Sequence, residues 1–73
     1  MSTDIFVLAQ RANQMEKSTG FQRCDVESEA DRELAFHFDS VTSAHAFQTA
    51  RGALNMQARI SDRAQNIVIV KQP

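Results

Sequence analysis

Hydrophobic and polar residues alternate in the middle of the chain. Leu34, Phe36 and Phe38 occupy every second position, a spacing that predicts a β-strand from Leu34 to Phe38 with one apolar face. From Val41 to Leu54 the apolar positions recur instead at helical spacing. We therefore expect a strand that leads directly into a helix, and we expect the rest of the chain to pack on this unit.

The amino-terminal segment predicts a first helix from about Thr3 to Lys17. Ser2, Thr3 or Asp4 can supply the N-cap oxygen, and Gly20 tolerates the positive φ that often follows a helix. Phe6 lies off the main apolar stripe, so this helix is expected to show more apolar surface than one packing face requires. The main stripe consists of Ile5, Leu8, Ala12 and Met15.

The second helix is predicted to pack closely on the sheet through small residues. Asp39 or Ser40 can cap its start, and Asn55 can cap its end. Gly52 costs a helix about 1 kcal/mol relative to Ala, which indicates a close approach or an early end. The predicted inner stripe consists of Ala46, Phe47, Ala50, Ala53 and Leu54.

Three further segments are predicted to be strands. Phe21 to Glu27 has no clean apolar face and is expected at an edge, paired through a polar hairpin loop with the strand that begins at Leu34. Met56, Ala58 and Ile60 alternate with polar residues in a third strand. The fourth strand, Ile67 to Lys71, is aliphatic on both faces, which is typical of an interior position.

The predicted order α-β-β-α-β-β makes residues 1–73 a single α+β domain, built as a two-layer sandwich. A right-handed crossover through the second helix makes strands two and three parallel, with a gap between them. Strand four can fold back into that gap, which gives a four-stranded antiparallel sheet of order 1-2-4-3. Both helices are expected to cover the face that carries Leu34, Phe36 and Phe38.

The opposite face of the sheet is predicted to be partly apolar with a cationic rim. His37, Arg59, Phe21 and Arg23 should lie on it, together with two of the four aliphatic residues of strand four. Apolar patches with polar rims are typical of interaction sites. The register of strand four stays open, because an offset of one residue exchanges Ile67 and Ile69 for Val68 and Val70.

Composition indicates an ordinary globular protein. The chain has 73 residues, 42% of them hydrophobic and 23% charged, and a net charge of -1. Its single cysteine, Cys24, cannot form an internal disulfide, which favours a reducing compartment and predicts a cytoplasmic location. No signal peptide is predicted, and the longest aliphatic run, Ile67 to Val70, is far shorter than the roughly 20 residues of a membrane span.

The residue pattern predicts neither a metal site nor catalysis. His37, His45 and Cys24 are the soft ligands available, and none has a partner at metal-site spacing. A cysteine-dependent enzyme would need Cys24 beside a histidine that a carboxylate orients. With two glycines, the chain cannot form a glycine-rich phosphate loop. We expect no catalytic residue, no cofactor and no metal.

The alternative function that we consider is nucleic-acid binding on the open sheet face. Phe21 and His37 are the side chains there on which bases could stack, and the chain contains neither Trp nor Tyr. Binding to phosphates would weaken steeply as the salt concentration rises. The cations that could contact phosphates are Arg23, Arg59, Arg63 and Lys71.

The leading hypothesis is a small non-enzymatic protein-interaction module, a regulator or inhibitor that docks on a larger protein and forms a homodimer. Small size and more apolar surface than one core requires support this hypothesis. Either the open sheet face or the first helix would form the contact. The predicted contact residues are Phe6, Phe21, Arg23, His37, Arg59 and Val68.

Overall fold

The computed structural model describes residues 3–54 and 57–73, and it forms two helices packed on a four-stranded sheet. The helices are α1 (Ile5–Met15) and α2 (Val41–Ala53). The strands are β1 (Phe21–Ser28), β2 (Glu33–Phe38), β3 (Ala58–Ile60) and β4 (Ile67–Lys71). The sheet order β1-β2-β4-β3, with every neighbouring pair antiparallel, confirms the predicted topology.

Side-chain caps fix where both helices begin. Oδ1 of Asp4 accepts a hydrogen bond from the backbone N–H of Phe6 at 2.8 Å, so α1 begins two residues later than predicted. Of the two predicted caps for α2, it is Ser40 whose side chain accepts from the backbone N–H of Ser43. The predicted roles of Ser2, Asn55 and Met56 lie outside the described residues. Neither helix, within the described chain, has the length and apolar character needed to cross a membrane.

The main core lies between the helices and one face of the sheet. Leu34, Phe36 and Phe38 of β2 are 2%, 5% and 0% exposed, and they pack with residues of both helices. The ring centroid of Phe47 in α2 lies 4.9 Å from that of Phe36 and 4.9 Å from that of Phe38. Ile5 of α1 joins the same core. The predicted face is therefore the one that the helices cover.

The register of β4 is set by its pairing with β2. Val70 lies opposite Leu34 and Val68 lies opposite Phe36, so both valines face the helices. Val68 is fully buried in the main core, and its predicted place on the open face is wrong. Ile67 and Ile69 take that place instead.

An irregularity at the start of β1 moves Phe21 to the helix side. Phe21 pairs with Phe38 and Arg23 pairs with His37, so the register shifts between the two residues of β1. The ring of Phe21 packs on Phe36 and Phe38, with centroids 5.9 and 6.0 Å away. Its predicted position on the open face is therefore wrong, whereas Arg23 and His37 do lie there.

Helix α2 is rotated relative to the predicted inner stripe. Ala44 and Phe47 are buried in the main core. Arg51 lies on the same side of α2, where it stacks over the ring of Phe47 at 4.7 Å from its centroid and pairs with Glu16 at the end of α1. The rotation leaves four members of the predicted inner stripe exposed, namely Ala46, Ala50, Ala53 and Leu54.

Candidate functional site

The open face of the sheet contains a second, smaller core. Ala35, Ile67 and Ile69 are 1%, 8% and 1% exposed, and Ala64 in the loop after β3 packs against them. The predicted apolar patch is therefore not accessible. Burial of these residues removes the main reason to expect docking on this face.

Ion pairs lie on the same side of the sheet as this smaller core: one links β3 and β2 across β4, and one lies within β1. Nη1 of Arg59 in β3 lies 3.1 Å from the carboxylate of Glu33 in β2. Nε of Arg23 lies 3.1 Å from the carboxylate of Asp25, and the described contacts also pair Arg63 with Glu27. Each of these arginines therefore has a carboxylate partner, which disfavours the phosphate-binding surface that the alternative function requires.

His37 lies among these charges. Its Nε2 is 3.1 Å from Oδ2 of Asp25, and its side chain is mostly buried. Burial lowers the pKa of His37, and the cation of Arg23 lowers it further, whereas the carboxylate of Asp25 opposes both effects. The neutral imidazole is thus favoured in the folded protein, where its Nε2–H donates a hydrogen bond to the carboxylate of Asp25.

Cys24 and His37 lie on opposite faces of the sheet. Cys24 is 2% exposed and belongs to the main core under the helices. Burial raises the pKa of the Cys24 thiol to about 12, and the carboxylates of Asp25 and Glu16 contribute to the increase. This arrangement does not provide the activated thiolate that nucleophilic catalysis needs. Within residues 3–54 and 57–73, no group of three metal-ligating side chains converges.

We predict that Cys24 resists alkylation in the folded protein. A buried thiol with a raised pKa should react with iodoacetamide at least about 100-fold more slowly than the same thiol in the unfolded chain. Mass spectrometry during a time course, with and without guanidinium chloride, measures both rates. Equal rates in the two conditions would show that the thiol is accessible and would contradict its position in the core.

A groove of about 460 Å³ lies beside α2 in the described part of the chain. Its floor is formed by Ala46, Phe47 and Ala50, and Leu54 stands at one end with 67% of its surface exposed. Arg51, which pairs with Glu16, also lines the groove. The remaining lining residues carry hydroxyl groups: Ser18 and Thr19 precede β1, and Thr42 and Ser43 lie in the first turn of α2.

Helix α2 carries few charges on the side that borders this groove. Among its 13 residues, Arg51 is the one with a formal charge at pH 7. Exposed helix faces in water are normally rich in charged residues, whereas the centres of protein interfaces are depleted of them. The outer side of α2 thus combines exposed apolar residues with the charge pattern of an interface.

The structure separates the predicted contact residues instead of bringing them together. Phe21 and Val68 lie on the helix side of the sheet, and His37 lies with the ion pairs on the other side. Phe6 on α1 is 57% exposed, as its position off the stripe predicts. The sequence pattern places Ala46, Ala50 and Leu54 in the core and therefore does not predict the groove. The feature of the sequence that could have indicated an exposed apolar surface is the presence of two apolar stripes on one helix.

Comparison of the chain with protein-family models, with curated proteins and with solved structures finds no match.

Proposed function

We propose that this protein is a small non-enzymatic interaction module that binds an amphipathic helix of a larger protein partner in the groove beside α2. The exposed, charge-poor apolar side of α2, formed by Ala46, Ala50, Ala53 and Leu54, is the observation that carries the proposal. The module would act as a regulator or inhibitor through this contact. Its single buried thiol supports a cytoplasmic location.

An amphipathic helix fits the shape of the groove. The groove follows α2 from Thr42 to Leu54, a distance of about 18 Å at the rise of an α-helix, or three to four helical turns. Ala46 and Ala50 lack bulky side chains, so another helix can approach α2 closely and pack large apolar residues against these two positions. Helices that bind in grooves use their apolar faces in this way.

Ala46→Glu is the variant that tests this proposal. The carboxylate should block the groove floor while the fold stays intact, because Ala46 is exposed and Glu is a good helix former. We expect a protein captured from native lysate by the wild type to be lost with Ala46→Glu. Peptides from the captured protein should locate the binding segment in an apolar helix that competes for the groove.

Gln65→Glu is the matched control, since it adds the same charge at an exposed position in the loop between β3 and β4. It should retain the captured protein. Loss of binding with both variants would indicate a general charge effect, and retention by both would contradict the groove.

Light scattering over a concentration series tests a second copy as the occupant. If the wild type is a dimer and Ala46→Glu is a monomer, the occupant of the groove is a second copy of this chain and not a larger partner.

A further inference from the structure

A side-chain amide from α1 binds the outer edge of β1, where a further strand of the sheet would otherwise pair. β1 lies at the edge of the sheet and pairs with β2. On its other side, Asn13 of α1 contacts the backbone of Cys24. Oδ1 of Asn13 accepts from the Cys24 N–H, and Nδ2 donates to the Cys24 carbonyl, both at 2.7 Å. The carboxamide thus reproduces the two hydrogen bonds that opposed residues exchange in an antiparallel sheet.

Packing and a further hydrogen bond hold Asn13 in this position. Nδ2 also donates to the carbonyl of Ala9, one turn earlier in α1, at 3.0 Å. Ala9 and Ile5 are buried against the sheet, so the helix that carries Asn13 is fixed relative to β1. The amide is therefore already oriented toward the strand edge.

An open edge of this length is a template for another strand. β1 has eight residues, and its unpaired N–H and C=O groups could bind a strand from another chain. The opposite edge, β3, has three residues, and Nε2 of Gln48 in α2 donates to the carbonyl of Ala58 there at 3.4 Å. Each edge strand thus receives an amide from a helix, and the longer strand receives the shorter hydrogen bonds.

We propose that Asn13 prevents a second copy of this chain from adding its β1 to the sheet. Charge complementarity favours a second copy as the competing strand. In an antiparallel pair of β1 strands centred on Cys24, Arg23 of each copy would lie opposite Asp25 of the other. The two residues already form an ion pair within one copy, and they could exchange partners between copies. This inference does not depend on the groove beside α2.

Asn13→Ala tests the inference. The substitution frees the Cys24 edge groups to water or to another strand, so the fold should survive, since alanine is a better helix former. We expect a concentration-dependent dimer in sedimentation equilibrium, and the dimer should persist when Ala46→Glu is added. Gln14→Ala, at the exposed neighbouring position, is the control and should keep the wild-type mass.

A second substitution identifies the edge involved. Arg23→Glu added to Asn13→Ala places like charges opposite each other in the paired strands and should restore the wild-type mass. A folded Asn13→Ala protein that keeps the wild-type mass at all concentrations overturns the inference. If that variant does not fold, Asn13→Ser, whose side chain is too short to bridge both Cys24 groups, takes its place with the same expected dimer. A folded Asn13→Ser protein with the wild-type mass is equally contradictory.

Discussion

Replacing Gly20 by alanine is expected to remove a large part of the stability of this fold. Gly20 has φ +78, a conformation that costs an L-residue with a side chain about 1–2 kcal/mol. An added Cβ would also collide with the Asp39 carboxylate and would lie 2.6 Å from Oγ and 2.8 Å from Cβ of Ser43. Strain and steric overlap together should cost about 2–4 kcal/mol. The free energy of unfolding of a 73-residue domain is typically about 4–11 kcal/mol.

Gly52→Ala is the matched control for this prediction. Gly52 lies within α2, and its added Cβ would meet no other atom within 4 Å. The substitution should raise the free energy of unfolding by about 1 kcal/mol, because alanine is the better helix former. Denaturation in urea, followed by circular dichroism, measures both variants. If Gly20→Ala left the midpoint unchanged or raised it, the close approach of Gly20 to the start of α2 would be wrong.

The topology could be predicted because several local patterns agree on it. Alternation in β2, helical spacing after Val41 and the aliphatic run of β4 define the elements independently of one another. The right-handed crossover then leaves one position for β4, between β2 and β3. Each helix and strand could thus be predicted from its own residues, and the order of the strands from a general rule about connections.

Side-chain orientation could be predicted less well, since it depends on contacts between elements. The irregularity after Phe21 places this residue on the opposite face from Arg23, although no glycine or proline lies between the two residues. Helix α2 has two apolar stripes, so its sequence does not indicate which one faces the sheet. The side that faces the sheet carries Ala44 and Phe47, and on it Arg51 pairs with Glu16, 35 positions away in the chain.

The candidate site was missed for the same reason. The sequence predicts arginines and carboxylates on the open face, but it does not show which of them pair. Arg59 of β3 pairs with Glu33 of β2 across β4, which lies between the two strands in the folded sheet. That pairing lies on the same side of the sheet as the apolar residues from which docking was inferred. The rotation of α2 leaves one apolar side of the helix exposed, and the groove lies along that side. Because the groove depends on how α2 packs on the sheet, it could not be predicted from the sequence alone.

Phe38→Ala is expected to lower the free energy of unfolding by about 3–5 kcal/mol. Phe38 is fully buried, and its ring packs on Phe47 and Phe21 with centroids 4.9 and 6.0 Å away. Removal of a buried phenylalanine ring typically costs about 3–5 kcal/mol, from lost transfer free energy and the cavity that remains. This cost is a large fraction of the free energy of unfolding of a domain of this size, about 4–11 kcal/mol, and it matches the lower end of that range.

Phe6→Ala makes the same chemical change at an exposed position and is therefore the matched control. Because 57% of the Phe6 side chain is exposed, its removal should change the free energy of unfolding by about 0.5 kcal/mol or less. Thermal and urea denaturation of both variants measure the difference. A cost at Phe6 comparable to that at Phe38 would mean that another copy covers Phe6 in solution. The first helix, and not the groove beside α2, would then be the surface through which this chain associates.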